Sequence, residues 1–375
     1  MQTFDCPKCG APLSYEPNPL GSGTARCPYC QSQLAVPNEL RGEPARVISQ
    51  IDIRTGPQVT VSSAKWIWFL VLVPIIIVVI VLGGVFGAIS PLLSKRNNPV
   101  GGRGASSGKE DFARVVMKFG SEGIGAGRMT DARSIATDGA GRIYVGEYLG
   151  GRVQVFDSNG EFITQWMVDP KMPLRGLAAD RKGTVYVVQR GKVVRFLGET
   201  GKPLGEVQFS GGDGFDDVIT TPDGGLVCAW YRGRDDIVRF DVNGKVTRTI
   251  PGAISSASGD SELNTRVATD GLGNIYALGT FNNAVFKFGP DGKFLTRFGK
   301  QGNEPGQISA GHAIAVDGKG RVFVADIKGV QVFDSDGRYL TVFKPEGPAS
   351  GMVFNDKNEL LIAARNKVVK FALKE

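Results

Sequence analysis

Six times between residue 133 and the C-terminus the chain returns to one pattern, and this repetition limits the fold more than anything else in it. The unit is clearest from Arg133 to Trp166, RSIATDGAGRIYVGEYLGGRVQVFDSNGEFITQW. Further units begin at Arg175, Asp217, Thr265, His312 and Ser350, spaced by roughly the length of a four-stranded propeller blade. Each unit shows a short apolar strand, a D-x-x-G turn, a second strand such as IYVGE or VFVAD, and a third strand ending in an aromatic. Asn159-Gly160, Asn243-Gly244, Asp291-Gly292 and Asp336-Gly337 then read as two-residue hairpin turns in which both residues take positive φ, each followed by a fourth strand.

The sixth unit stops after its third strand, VVKFAL. Its missing strand is at the other end: Val115–Gly127 matches Leu295–Gly306, with Phe119-Gly120 on Phe298-Gly299 and Gly127 on Gly306. The first strand of the domain is therefore predicted to complete the last blade, closing the ring and hiding the edges an open array would expose. The prediction for residues 112–375 is an all-β, six-bladed β-propeller. The D-x-x-G turns lack the spaced carboxylates and terminal Glu of a calcium loop and read as turns. A glycine count of 52 and the absence of amphipathic helical patterns after residue 110 agree with a turn-dense β domain.

The front of the chain has a different chemistry. CPKC and CPYC place Cys6, Cys9, Cys27 and Cys30 in two pairs separated by 17 residues. Zinc takes four soft ligands in a tetrahedron, and each CxxC offers two from one knuckle, so residues 1–40 read as a structural zinc site. A segment this short needs the metal to fold. Disulfides or a redox CxxC are the alternative, against which stands the lack of a βαβ context around either pair. The stretch resembles the zinc-ribbon modules at the front of bacterial membrane proteins, with CPYC followed by the apolar Gln33–Val36 and Pro37.

Between these parts lies Trp66–Ile89, 24 residues without a charged side chain. As a helix it would reach roughly 36 Å, enough to cross a bilayer core. Trp66 and Trp68 at one end suit the interface, and Lys65, Lys95 and Arg96 bracket the run. The predicted order is a zinc ribbon (1–40), a linker (41–65), a single transmembrane helix (66–90), a flexible Gly/Ser-rich linker (91–111) and the propeller (112–375). Flanking positive charges tie, so orientation is taken from redox chemistry: four thiolates persist best in a reducing cytosol. The ribbon is placed inside and the propeller outside. Gly83 and Gly87 give a small-residue pair through which helices could dimerise.

The propeller units resemble NHL repeats, most clearly AIAVDGKGRVFVADIKGVQVFDSDGRYLTVF and VATDGLGNIYALGTFNNAVFKFGPDGKFLTRFG. The second, third and sixth lack the usual Asp and Asn after the second strand. The resemblance implies binding of a protein or other macromolecule through one face, and is similar to the sensor domains of some bacterial receptors.

Aligned units put Arg133, Arg175, Asp217, Thr265, His312 and Ser350 at one position and Glu147, Gln189, Tyr231, Gly279, Asp326 and Ala364 at another. Both sets are predicted to face the mouth of the central channel, as a mixed-charge ligand funnel or as solvated loops with mutually paired charges. Arg133, Glu147, Arg175, Asp217, Tyr231, His312 and Asp326 are the candidate ligand-binding residues. No catalytic residue is predicted. A lyase of this family would need several histidines, where the chain has only His312, and no Ser-His-Asp arrangement is visible. The chain is thus expected to be a membrane-anchored binding, scaffold or sensor protein and not an enzyme. A metal-dependent lyase- or lactonase-like propeller is the alternative. The net charge of +7 contains no long basic run, so no nucleic-acid partner is expected.

Overall fold

Alternating apolar strands of four to seven residues, each closed by a glycine turn, leave each sheet with two faces to bury. Stacking sheets around an axis buries both. The computed structural model describes residues 2–5, 12–15, 24–26, 33–35 and 112–374. It divides into two compact units, Met1–Gly104 and Ala105–Glu375.

In the first unit, β1 (Gln2–Asp5) pairs antiparallel with β2 (Pro12–Tyr15), Asp5 opposite Pro12. Likewise β3 (Thr24–Arg26) pairs with β4 (Gln33–Ala35), Arg26 opposite Gln33. Cys6, Cys9, Cys27, Cys30 and the run Trp66–Ile89 lie outside the described residues. Among the described residues no helix is long and apolar enough to cross a membrane.

The second unit is a six-bladed propeller of four-stranded antiparallel sheets. The first blade runs outward through Ala132–Thr137, Ile143–Glu147, Arg152–Phe156 and Phe162–Met167. The last consists of Gly351–Phe354, Leu360–Ala363, Val368–Leu373 and, as its outermost strand, β5 (Ala113–Phe119). β5 pairs Phe119 with Val368 and Ala113 with Leu373, so the expected closure of the ring is observed.

Two faces follow from this order. On one, the turn face, the D-x-x-G segments join first to second strands. Asp138 is typical: Oδ1 accepts from the amides of Ala140 and Arg142 (3.0 Å each), and Oδ2 from the Tyr144 hydroxyl at 2.8 Å and Arg142 Nε at 2.7 Å. Asp270 and Asp317 repeat the amide pattern. These carboxylates are spent on their own turns, and burial, with the hydrogen bond to Asp138, pushes the Tyr144 hydroxyl well above its usual range.

The outer turns differ from the expected two-residue hairpins. Gly160 donates to Asp157 O at 3.1 Å, closing a four-residue turn, and the strand register shifts at Val155/Phe156. Only the glycine takes positive φ, 81° at Gly160; Asn159 does not. Such a turn with a glycine bulge matches the strong twist of an outer hairpin.

Cores form between blades. Tyr144, Val155 and Trp166 pack with Leu177, Val187 and Phe196 of the next blade. Trp166 stacks on Phe196 at 5.1 Å and donates to Gly198 O at 2.9 Å. Gly201, at φ 68°, lets the chain pass under the indole: a Cβ there would sit 2.4 Å from it.

Candidate ligand site at the channel mouth

The innermost strands surround an axial channel of about 1430 Å³. Each starts at the face opposite the D-x-x-G turns, so the residues at or just before its start form a rim. Arg133, Arg175, Asp217, His312 and Ser350 all line the channel, as the alignment of the units implies. Thr265 does not: it is buried, and Asn264 and Arg266 on either side line the channel instead.

The second predicted set lies elsewhere. Second strands are one step out from the axis, and the crossover loop entering each blade passes over their ends. Glu147 is 3% exposed, accepts from Thr130 N at 2.7 Å and pairs with Arg152 Nε at 2.6 Å. Asp326 accepts from Ser309 N at 3.1 Å and Gln331 Nε2 at 2.8 Å. Gln189 holds Asp169 and Met172 by their carbonyls. Gly279 and Ala364 are buried, and Tyr231 is a partly exposed strand end bonded to Gly214 O. So of the seven candidate residues, the rim gathers Arg133, Arg175, Asp217 and His312, while Glu147, Tyr231 and Asp326 belong to loop anchorage.

The rim also recruits residues the repeat alignment passed over. Arg365, at the tip of the last blade's second hairpin, reaches Asp131 Oδ1 at 2.8 Å, the oxygen that Arg133 Nε also holds at 2.9 Å. Arg133 lies over the Tyr148 ring, 4.1 Å from its centroid. On the other side Arg175 pairs with Asp216 at 2.8 Å. Arg266 spans from the fourth blade past the third to donate to Arg175 O at 3.1 Å, with Asp217 Oδ1 3.7 Å away. Asp217 Oδ2 accepts from Val267 N at 3.0 Å.

Charge on the rim is unbalanced: Arg133, Arg175, Arg266 and Arg365 face Asp131, Asp216 and Asp217. Burial pushes the Asp216 and Asp217 carboxyls above the ordinary carboxylate range despite these cations. The rim is thus a mixed-charge funnel with one guanidinium in excess, and Glu147 and Asp326 are withdrawn from it into the loops. Guanidinium groups presented this way suit carboxylate or phosphate oxygens.

No family model matches the chain. It is 35% identical over 104 residues to human NHL repeat-containing protein 3, an alignment covering 25% of this chain and 30% of that protein. It is 33% identical over 107 residues to the mouse protein, covering 26% and 31%. The chain thus spans about a third of the length of these relatives. A gluconolactonase from Xanthomonas campestris, 16% identical, superposes with a TM-score of 0.52 over 70% of this chain and 99% of that one. A second structure, described as a putative gluconolactonase, is 15% identical, with a TM-score of 0.53 over 70% and 92%.

The likeness to the two solved structures is one of fold. It overturns the expectation that the chain is not an enzyme, since a gluconolactonase has this same architecture. The described residues of the channel rim do not fit a divalent cation. Among the described residues no three His, Cys, Asp or Glu side chains come together as ligands, and Asp216, Asp217 and Glu147 each face an arginine.

Proposed function

We propose that the propeller captures an anionic ligand at the arginine rim of its channel, as the extracytoplasmic part of a single-pass membrane protein. The observation that carries this reading is the excess of guanidinium groups, with Arg133, Arg175 and Arg365 each one-third or more exposed beyond their ion pairs. The full chain is expected to bind citrate, and Arg133→Ala or Arg175→Ala to weaken it roughly tenfold, the worth of one charge-assisted contact at about 1.4 kcal/mol. Titration calorimetry reads this directly. Unchanged affinity in both variants would refute the reading.

Chemical turnover of the bound ligand is a second reading. It is favoured by Asp217 on the channel wall, whose carboxyl burial raises above its usual range, the direction a general acid needs. Lactones of sugar acids belong in the same titration series, with hydrolysis followed alongside binding and Asp217→Asn as the variant that should abolish turnover alone.

The anchor and the metal complete the proposal. Cys6 follows β1 directly and Cys27 follows β3 directly, and each hairpin connection is six residues, 6–11 and 27–32. Such matched knuckles support one structural zinc held by Cys6, Cys9, Cys27 and Cys30 on the cytosolic side. The chain enters the propeller at the turn face, where Lys374 N donates to Phe112 O at 2.8 Å and β5 then runs toward the rim. Protease added to intact cells is expected to remove the propeller and leave a protected N-terminal fragment with one zinc per chain, lost in Cys27→Ala. Survival of the propeller until lysis would reverse the orientation.

A further inference from the structure

Four third strands carry a cation just before their aromatic: Arg195, Arg239, Lys287 and Lys370. Three of them fasten neighbouring blades together by donating to the outer turn of the next blade. Arg239 Nη1 reaches Pro290 O at 3.2 Å, Lys287 Nζ reaches Ser335 O at 2.8 Å, and Lys370 Nζ reaches Ser158 O at 3.3 Å. Arg195, in the second blade, does not. It donates instead to Leu204 O of its own blade at 3.2 Å, and its buried Nε has no partner.

The outer turn that Arg195 would grip, residues 241–244, stands off from the second blade. A Cβ at Gly160, Gly201, Gly292 or Gly337, the glycines of four other outer turns, would come within 2.9 Å of the preceding blade. One at Gly244 would meet nothing within 4 Å. The cause is in the sequence of the second blade's fourth strand. Lys202–Glu206, KPLGE, is exposed throughout and brings no aromatic to the place that Trp166 and Phe298 fill in the first and fourth blades. The gap opens into the axial channel. Among the described residues, third and fourth strands line that channel at this junction alone, through Arg195 and Leu204, with Val242 from the facing turn. Leu204 and Val242 are 43% and 64% exposed.

We infer that this side branch binds a small monocarboxylate with an apolar body, its carboxylate on Arg195 and its hydrocarbon against Leu204 and Val242. The branch is separate from the arginine rim and does not rest on the reading of it. Arg195 forms no ion pair among the described residues, so its guanidinium keeps charge and donors for a carboxylate. Covering the two exposed apolar side chains adds the gain of burying hydrocarbon. Neighbouring carboxylates set the number of charges. Asp180 and Asp223 line the same part of the channel, and Asp223 is already held by Arg239 at 2.8 Å. One negative charge satisfies Arg195, and any more on the ligand would face those two aspartates.

The test is equilibrium dialysis of labelled hexanoate, acetate and citrate against the full chain. Hexanoate is expected to bind about tenfold more tightly than acetate, which lacks the hydrocarbon. Arg195→Met keeps much of the side chain's length and removes its charge. It should weaken hexanoate about tenfold while citrate stays within about twofold. Val242→Asp, at an exposed turn position, should do the same by repulsion without touching the core. Arg133→Ala should spare hexanoate, so its effect on citrate and the branch variants' effect on hexanoate report on different sites. Wild-type hexanoate affinity in both branch variants would overturn the proposal. So would acetate binding as tightly as hexanoate, equal losses of hexanoate and citrate in the branch variants, or a hexanoate loss confined to Arg133→Ala.

Discussion

Arg152→Ala is expected to cost the propeller about 3–5 kcal/mol, the penalty for stranding one partner of a buried ion pair. Glu147 and Arg152 are 3% and 8% exposed, and they meet at 2.6 Å. Arg152 does more than neutralise: it donates to Gly125 O at 3.0 Å and Arg128 O at 2.8 Å, tying the strap that leads from β5 into the first blade. Removing it leaves a buried carboxylate without its cation and takes one of two donors from each carbonyl, Gly125 O keeping Arg128 N and Arg128 O keeping Gln154 Nε2. Urea denaturation should show a lower midpoint with an unchanged slope. The double variant Arg152→Met/Glu147→Gln should recover more than half the loss, since the carboxamide can still accept from Thr130 N. Citrate affinity should not move, because neither residue faces the rim. A loss below about 1 kcal/mol would mean that water reaches Glu147 and that the strap is held elsewhere.

How far the sequence foretold this arrangement depends on which contacts repeat. Strand order, blade number and the strand donated by β5 follow from local periodicity and from the match of Val115–Gly127 to Leu295–Gly306, and the structure has them. The rim residues Arg133, Arg175, Asp217 and His312 were legible for the same reason, since equivalent positions become neighbours around an axis. Glu147 and Asp326 were not, because their partners Arg152, Thr130, Gln331 and Ser309 depend on how a crossover loop packs, which no period encodes. Arg266 was missed by one position: Thr265 holds the aligned place but turns inward, and the arginine beside it reaches the second blade. Arg365 sits in a hairpin tip, where the alignment gave no reason to look toward the axis. The asparagine-glycine turns were read as both residues being left-handed, whereas a bulge in the preceding strand absorbs the twist and leaves only the glycine there.

Deleting residues 112–119 is expected to abolish cooperative folding of the propeller. β5 is the outermost strand of the last blade, yet side chains of residues 112–119 reach two others, the first and the fifth. Phe119 lies 4.7 Å from Phe156 in the first blade, and Gly160 makes room for it: a Cβ there would come within 2.6 Å of the Phe119 ring. Phe112 sits 6.4 Å from Phe323 and 6.1 Å from Phe343 of the fifth blade. Val115 and Met117 add to the cores on either side. Burial of these half-covered side chains contributes about 5 kcal/mol, comparable with the entire stability of an ordinary domain. The deletion also bares the edge of Val368–Leu373, whose free amides and carbonyls invite pairing between molecules. The truncated chain should therefore unfold at low urea with a broad transition and associate as concentration rises. A synthetic peptide of residues 112–122 added in trans should restore the sharp transition, because it supplies the same strand register and the same two phenylalanines. A truncated chain that kept both the wild-type midpoint and a sharp transition would show that the ring is held shut by its inner strands alone. The repeated apolar strands around the channel would then suffice for the fold, and β5 would be left as the attachment of the tether.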